Sequence, residues 1–201
     1  MLLFETCKST NPRRVHLYLA EKGLDIPRRQ IDFSANEQRS AEFLALNPLG
    51  RVPVLLLEDG TTITESAAIV EYLEELYPEP PMIGTTAVQR AQVRALERIG
   101  QDLITRGQLW LIHTSAYFAD RRQNPEVAAA AKLLVDPLLD GLEIHLADQP
   151  FLAGDRVTVA DCTVFAMLQS CRVRFDKPLA DDLPRLDAWY WRFAGRPSAA
   201  Y

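Results

Sequence analysis

Asn47-Pro48-Leu49-Gly50-Arg51-Val52-Pro53, an apolar run closed by Asp59-Gly60, and then Thr64-Glu65-Ser66 form the stretch that decides the fold. Residues 52–57 are continuously apolar and read as a buried strand. Asp59-Gly60 is a two-residue hairpin signal, and residues 61–64 return as a second strand. Proline cannot donate to a sheet ladder, so Pro53 belongs at the entrance of the first strand. Val52 before it is left with backbone groups free for a ligand. Thirteen residues after Val52, Glu65-Ser66 put a carboxylate and a hydroxyl at the start of a helix over residues 66–77. A strand edge beside a helix N-terminus, with its unpaired N–H groups, suits a small zwitterionic peptide.

Upstream, residues 2–4 are a short apolar strand. Asn11 is a candidate N-cap with Pro12 at the first helical position. Val15, Leu17, Leu19 and Ala20 populate the following helix, and Gly23 suits its C-terminal left-handed position. Residues 29–33 alternate as a second strand, and a loop near residues 34–39 leads into a brief helix at 41–46. Ile69, Val70, Leu73 and Leu76 share one side of the helix over 66–77. The order β-α-β-α-β-β-α predicts an α/β thioredoxin-like domain over residues 1–77.

Pro78-Glu79-Pro80-Pro81 cannot continue a helix, so residues 78–86 read as a linker. Beyond it the strand signal vanishes. Helical patterns cover 87–118 (with a bend expected near Gly100 or Gly107), 126–147, 158–172 and 184–194, an all-α bundle over residues 87–201. Thr158-Val159-Ala160-Asp161 is a capping box in its Asp form, opening an apolar and therefore buried helix.

The bulk composition, 48% hydrophobic and 24% charged, is that of a globular protein rather than a disordered one. A net charge of −5 without a basic, aromatic-interleaved cluster speaks against a nucleic-acid partner, and Arg13-Arg14 and Arg121-Arg122 read as solvated pairs. No apolar run reaches the ~18 residues that a membrane span needs, and residues 1–5 lack the pattern of a signal peptide. Three cysteines, Cys7, Cys162 and Cys171, are too few for a disulfide framework and suit a reducing cytoplasm. His16, His113 and His145 lie too far apart in sequence for a metal-ligand spacing, and no phosphate-loop, dinucleotide or nucleophile-elbow motif occurs.

Together the Asn47–Pro53 turn, the Glu65-Ser66 pair, the proline linker and the capping box resemble the soluble glutathione transferases across essentially the whole chain. The Thr158–Asp161 box resembles the one in the core C-terminal helix of that family. The resemblance implies that glutathione is the co-substrate and that no metal takes part. Val52-Pro53 is similar to the family's cis-proline step, where the residue before proline pairs with the cysteinyl unit. Ser66 would bind the γ-glutamyl carboxylate and Glu65 the α-amino group, although Ser66 also serves as an N-cap residue. Arg51 could reach the glycyl carboxylate, as could Gln38, with simple exposure the alternative for both.

Ser9 lies six residues before Val15, the offset of the serine-type classes, and Ser9-x-Asn11 resembles the Thr-x-Asn pattern of Nu-class members. A thiol at this helix end has its pKa, about 8.5 when free, lowered by the helix dipole and by a donated hydroxyl. The carry-over is Ser9 first, Asn11 second and Thr10 in reserve, with helix capping alone the alternative for Asn11. Cys7 lacks a C-x-x-C partner and reads as a packed strand-end thiol.

Asp102, Arg106, Trp110, His113 and Tyr117 recur at i, i+4, i+8, i+11 and i+15 on one helical face. The resemblance assigns that face to the acceptor pocket, with Trp110, His113 and Tyr117 as its candidates and core packing the alternative for Trp110, and to a homodimer contact. It implies conjugation of glutathione to small hydrophobic electrophiles by a cytoplasmic enzyme. The alternatives are a glutathione-dependent disulfide reductase or peroxidase on the same fold, or a non-catalytic binding module. An isomerase of the maleylacetoacetate type is disfavoured by the missing Ser-Ser-Cys run.

Overall fold

A computed structural model of the chain describes residues 1–6 and 9–200. Cys7, read above as a strand-end thiol, lies outside the described residues. The chain divides into two compact units, Met1–Met82 and the part from Ile83 onward.

In the first unit β1 (Leu2–Glu5), α1 (Thr10–Lys22), β2 (Arg28–Gln30), α2 (Ala41–Leu46), β3 (Val54–Leu56), β4 (Thr62–Thr64) and α3 (Ser66–Leu76) follow in the expected order. The sheet order is β2-β1-β3-β4, with β1 parallel to β2 and antiparallel to β3, and β3 antiparallel to β4. Strand alternation divides the core. Phe4, Val54 and Ile31 meet Phe43 of α2 on one face. Leu3 and Leu55 are paired in register and fully buried on the other, where α1 packs on α3.

Several boundaries differ from the sequence reading. α1 starts at Thr10 with Ser9 in the cap position, so Asn11 is the second helical residue and not the cap. Pro12 is then third; the first-turn N–H groups have no helical partner, so a missing N–H costs nothing there. Gly23 ends α1 at φ 70°, as read. β2 is shorter than residues 29–33: its ladder ends with Ile31 N–H donating to Glu5 O, and Asp32 then turns the chain by accepting from Ser34 N–H. The β3–β4 loop is longer than a two-residue hairpin. Leu57 N–H donates to Thr61 O across Glu58-Asp59-Gly60, with Gly60 at φ 89°. Leu76, at the frayed end of α3, is exposed, whereas Ile69, Val70 and Leu73 are buried.

A buried ion pair fastens the end of this unit. Lys22 Nζ lies 2.8 Å from Glu74 Oε2 and donates to the carbonyls of Tyr77 and Pro80 at 2.5 and 2.7 Å. Glu74 also accepts from Tyr18 OH and from Met82 N–H. α1, α3 and the proline-rich segment are thereby tied through one charge pair.

The second unit contains α4 (Ala87–Thr114), α5 (Pro125–His145), α6 (Val159–Gln169) and α7 (Pro184–Ala194), with α6 continuing into a π-helical turn at Ser170–Arg174. α4 stops at Thr114, and Ala116–Phe118 is a separate 3-10 turn. Gly100 and Gly107 do not interrupt α4. A Cβ on Gly100 would come within 2.9 Å of Thr163, and one on Gly107 would collide with Met167, so both glycines let α4 and α6 approach closely.

Every residue of α6 is buried. Phe165 stacks on Phe193 and Tyr190 at 4.4 and 5.1 Å between ring centres. The capping box is closed, and Asp161 does more than cap. Its carboxylate accepts from Thr158 N–H and Oγ1, Leu152 N–H and Trp189 Nε1, all at 2.9–3.0 Å. Burial pushes this carboxyl up from the ordinary range, and the donated hydrogen bonds offset that push. Asp161→Ala leaves the Leu152 and Trp189 donors buried without their acceptor. At ~1–3 kcal/mol for each such group, urea denaturation is expected to register a loss of about 3 kcal/mol or more, and a loss below about 1 kcal/mol would contradict this role.

Candidate functional site

The strand registers assemble the site. Phe4 pairs with Val54, and Val54 with Thr64. These pairings end each ladder at the same side of the sheet, with Thr6, Val52 and Glu65-Ser66 the residues that follow or precede it along the chain. The exit of β1 toward Ser9, the entrance of β3 and the start of α3 therefore meet at one end of the sheet.

Each segment is held in a different way. Asn47 is buried, accepts from Leu49 N–H, and donates through Nδ2 to Arg51 O at 2.8 Å. Gly50 follows at φ 61°, and a Cβ there would lie 2.7 Å from Gln38 O. This turn delivers Val52-Pro53 with a cis peptide bond, as expected, and the β3 ladder begins only at Val54. Val52 N–H and C=O thus stay outside the ladder. Arg51 is exposed, and Gln38 has a buried Oε1 with no hydrogen-bond partner among the described residues.

Glu65 precedes α3 at φ 67° and ψ 119°, a conformation that costs a non-glycine residue about 1–3 kcal/mol. Its side chain is exposed and makes no capping hydrogen bond. Ser66 is buried, and its Oγ accepts from Arg14 Nε at 2.8 Å. A hydroxyl that accepts from a guanidinium keeps its own proton to donate. With the first-turn N–H groups of α3, it makes an anion site.

Arg13 and Arg14 are buried, at 7% and 3% exposure, contrary to their reading as a solvated pair. α1 is covered on most of its circumference, so an amphipathic count misjudges both. The one available signal was their place in the first turn after a Ser-Thr-Asn-Pro run. Arg121 and Arg122 are exposed as read, with Arg121 over the Phe118 ring.

Ser9 is half-buried at the N-terminus of α1 and its hydroxyl makes no capping hydrogen bond. Its backbone is held by Thr6 O and by Arg13 N–H, at 3.2 and 3.0 Å. Asn11 Oδ1 is buried and has no hydrogen-bond partner among the described residues, so this amide is not used as a cap.

The second unit's candidates are more dispersed. Asp102 pairs with Arg98 and Arg106 on its own helix. Trp110 is half-buried. His113 Nδ1 accepts from Asn124 N–H at the start of α5. Tyr117 stands on the 3-10 turn rather than on α4, so the shared helical face ends before it. Its ring meets Phe118 and Phe175 edge-on, and its OH accepts from Arg174. Among the described residues no group of His, Cys, Asp and Glu side chains could hold a metal ion, and no helix is long and apolar enough to cross a membrane.

Comparison with known proteins agrees with this geometry. Residues 8–76 match the family model described as glutathione S-transferase, N-terminal domain, and residues 125–192 match glutathione S-transferase, C-terminal domain. Glutathione S-transferase 2 of Saccharomyces cerevisiae is 30% identical over 98% of this chain and 87% of its own length. The chain belongs to the glutathione S-transferase family. Maleylacetoacetate isomerase of Pseudomonas aeruginosa is 32% identical over 92% of this chain and 87% of its own. A solved glutathione S-transferase domain-containing protein of Marinobacter aquaeolei superposes with a TM-score of 0.86 at 33% identity, covering 100% of both chains. Membership of the glutathione S-transferase family carries with it the use of glutathione, and an exposed carboxylate, a donating hydroxyl and a free strand edge fit the amine, carboxylate and peptide of that tripeptide.

One titratable group nearby gives the first unit a measurable pH response. His16 on α1 is held down to about 4 by burial, and then by the positive charges of Arg28 and Arg13. Below pH 6.5 the unfolded chain binds a proton that the folded chain refuses, so stability falls as pH drops from about 6.5 toward 4. Burial raises the Glu5 carboxyl, which takes up its proton early and opposes this loss at the acidic end. Between pH 7 and 5.5 the wild type is expected to lose about 1 kcal/mol more stability than His16→Gln in urea denaturation. Equal losses would contradict a neutral His16.

Proposed function

We propose that this glutathione S-transferase family member conjugates the glutathione thiolate to small hydrophobic electrophiles. The observation that carries the reading is Ser66: buried, at the start of α3, and held by Arg14 so that its proton is left to donate. In this reading Ser66 and the α3 N–H groups hold the γ-glutamyl carboxylate, and Glu65 takes the α-amino group. Val52 pairs with the cysteinyl backbone beside Pro53, and Arg51, with Gln38, meets the glycyl carboxylate. Ser9 donates to the sulfur at the α1 N-terminus, with Asn11 as a second polar contact. Lowering the thiol pKa by one unit corresponds to about 1.4 kcal/mol and raises the thiolate fraction at neutral pH. Glutathione is the nucleophile, and Ser9 stabilises it without attacking. Trp110, His113 and Tyr117 are the proposed acceptor residues. The working protein is a cytoplasmic homodimer with residues 1–77 binding glutathione, 78–86 linking, and 87–201 supplying the acceptor side.

A second reading is favoured by the 32% identity to an enzyme named maleylacetoacetate isomerase. It uses the same glutathione subsite, and the two readings part at the product. Conjugates of an aryl halide would support the transferase. Isomerisation of maleylacetoacetate without conjugate formation would replace it.

Calorimetric titration with glutathione and glutathione disulfide tests the common site. Ser66→Ala removes one hydrogen bond to a charged group, worth ~1.5–3 kcal/mol, so glutathione affinity should drop about 10- to 100-fold. A preference for the disulfide would move the assignment to a glutathione-dependent reductase. No binding of either at millimolar ligand would leave the binding-module reading.

A further inference from the structure

We propose that Arg174 is a specificity-determining residue that receives an anionic substituent, a carboxylate on an aromatic electrophile, an inference that rests on the reading of Tyr117 as an acceptor residue. Arg174 closes the π-helical turn that continues α6, where Phe175 N–H donates to Ser170 O and Lys177 N–H to Cys171 O. Two arginines on this turn differ in what neutralises them. Arg172 pairs with Asp181 and Asp187 at 2.5 and 2.8 Å and lies over the rings of Tyr190 and Trp191. Arg174 has no carboxylate within ion-pair distance among the described residues. Asp176 beside it and Asp120 beyond the 3-10 turn are exposed and do not pair with it.

Aromatic side chains hold Arg174 instead. Its guanidinium carbon lies 4.9 Å from the ring centres of both Tyr117 and Phe175, and Nη2 donates to Tyr117 OH at 2.9 Å. Tyr117, Phe118 and Phe175 are in mutual contact, with ring centres 5.0, 5.2 and 5.4 Å apart. Ser115 Oγ donates to Phe175 O and fastens the 3-10 turn to the π turn. Rings and a phenol fix a guanidinium in direction without cancelling its charge. The phenol takes one of its N–H groups, and the others have no acceptor among the described residues. Tyr117 is 55% exposed. An aromatic ligand can therefore lie against this ring while its carboxylate meets the guanidinium edge in the bidentate geometry that arginine favours.

The other acceptor candidates suit the same ligand. His113 Nδ1 is occupied by Asn124 N–H, which puts the hydrogen of the neutral ring on Nε2, and Trp110 offers only its indole N–H. Donors and an unneutralised guanidinium favour an oxygen anion over an uncharged group of the same shape.

The test compares para-chloro-meta-nitrobenzoate with its uncharged amide. In both, the glutathione sulfur bonds to the ring carbon that carries chlorine, the C–Cl bond breaks, and chloride leaves with the bonding pair. Dividing each kcat/KM by the rate with free glutathione thiolate removes the difference in intrinsic reactivity. The unaltered protein is expected to prefer the benzoate about 10- to 100-fold, the worth of hydrogen bonds to a charged group. Arg174→Gln is expected to bring the ratio to within about threefold of unity, and Arg174→Lys, which keeps the charge without the planar fork, to retain part of the preference. A ratio at or below unity in the unaltered protein, or one that Arg174→Gln leaves unchanged, would overturn the anion site and leave the transferase reading standing. Turnover of chlorodinitrobenzene without turnover of the benzoate would do the same. Glutathione binding with none of these aryl halides conjugated would overturn the transferase reading beneath it, and the anion site with it. The comparison on the unaltered protein needs no variant to fold.

Discussion

The register of three strands governs the candidate site. Phe4, Val54 and Thr64 lie side by side, so β1 ends, β3 begins and β4 ends at one side of the sheet. A slip of one residue in either pairing would exchange core and solvent faces along a strand. Leu3 and Leu55 on one face, and Phe4 and Val54 on the other, are buried on both sides of the sheet, so the slip is strongly disfavoured. The hydrophobic core and the candidate site are positioned by one set of pairings.

Buried charge does the finer placing. Arg14 joins the N-terminal part of α1 to the first residue of α3, so the two helix N-termini are linked by a guanidinium and a hydroxyl. Lys22 and Glu74 join the far ends of the same two helices and hold the proline-rich segment against them. Glu5 and Gln30 join β1 to β2. Leaving any of these groups buried without its partner would cost several kcal/mol, which makes them effective at fixing positions. Asp161 has the corresponding task in the helical unit, where one carboxylate gathers the α6 cap, the Leu152 backbone and Trp189 of α7.

Much of this was legible in the sequence because the cues are local. A proline before an apolar run, Gly23 after a helical stretch and Thr-x-x-Asp each constrain the backbone within a few residues and are found where they were expected, whereas Asp-Gly marks the turn but not its length. Longer-range features were not legible. Arg13 and Arg14 are polar in type but interior in place, because α1 is covered by α3 and the sheet. The start of α1 at Thr10 turns on whether Ser9 or Asn11 adopts the extended conformation, and both residue types favour caps. Gly100 and Gly107 resembled bends because a glycine in a helix weakens it locally, while their use against Thr163 and Met167 of α6 depends on a partner some 60 residues away. Tyr117 kept helical spacing with Trp110 although Ser115 breaks the helix between them.

Amide chemical-shift mapping during a glutathione titration of the intact protein tests the central claim most directly, because it locates the ligand residue by residue. The account predicts saturable shifts concentrated at Ser9, Val52, Glu65 and Ser66, the residues gathered at one end of the sheet by the shared register. Saturable shifts clustered elsewhere, with these four amides unmoved, would contradict it.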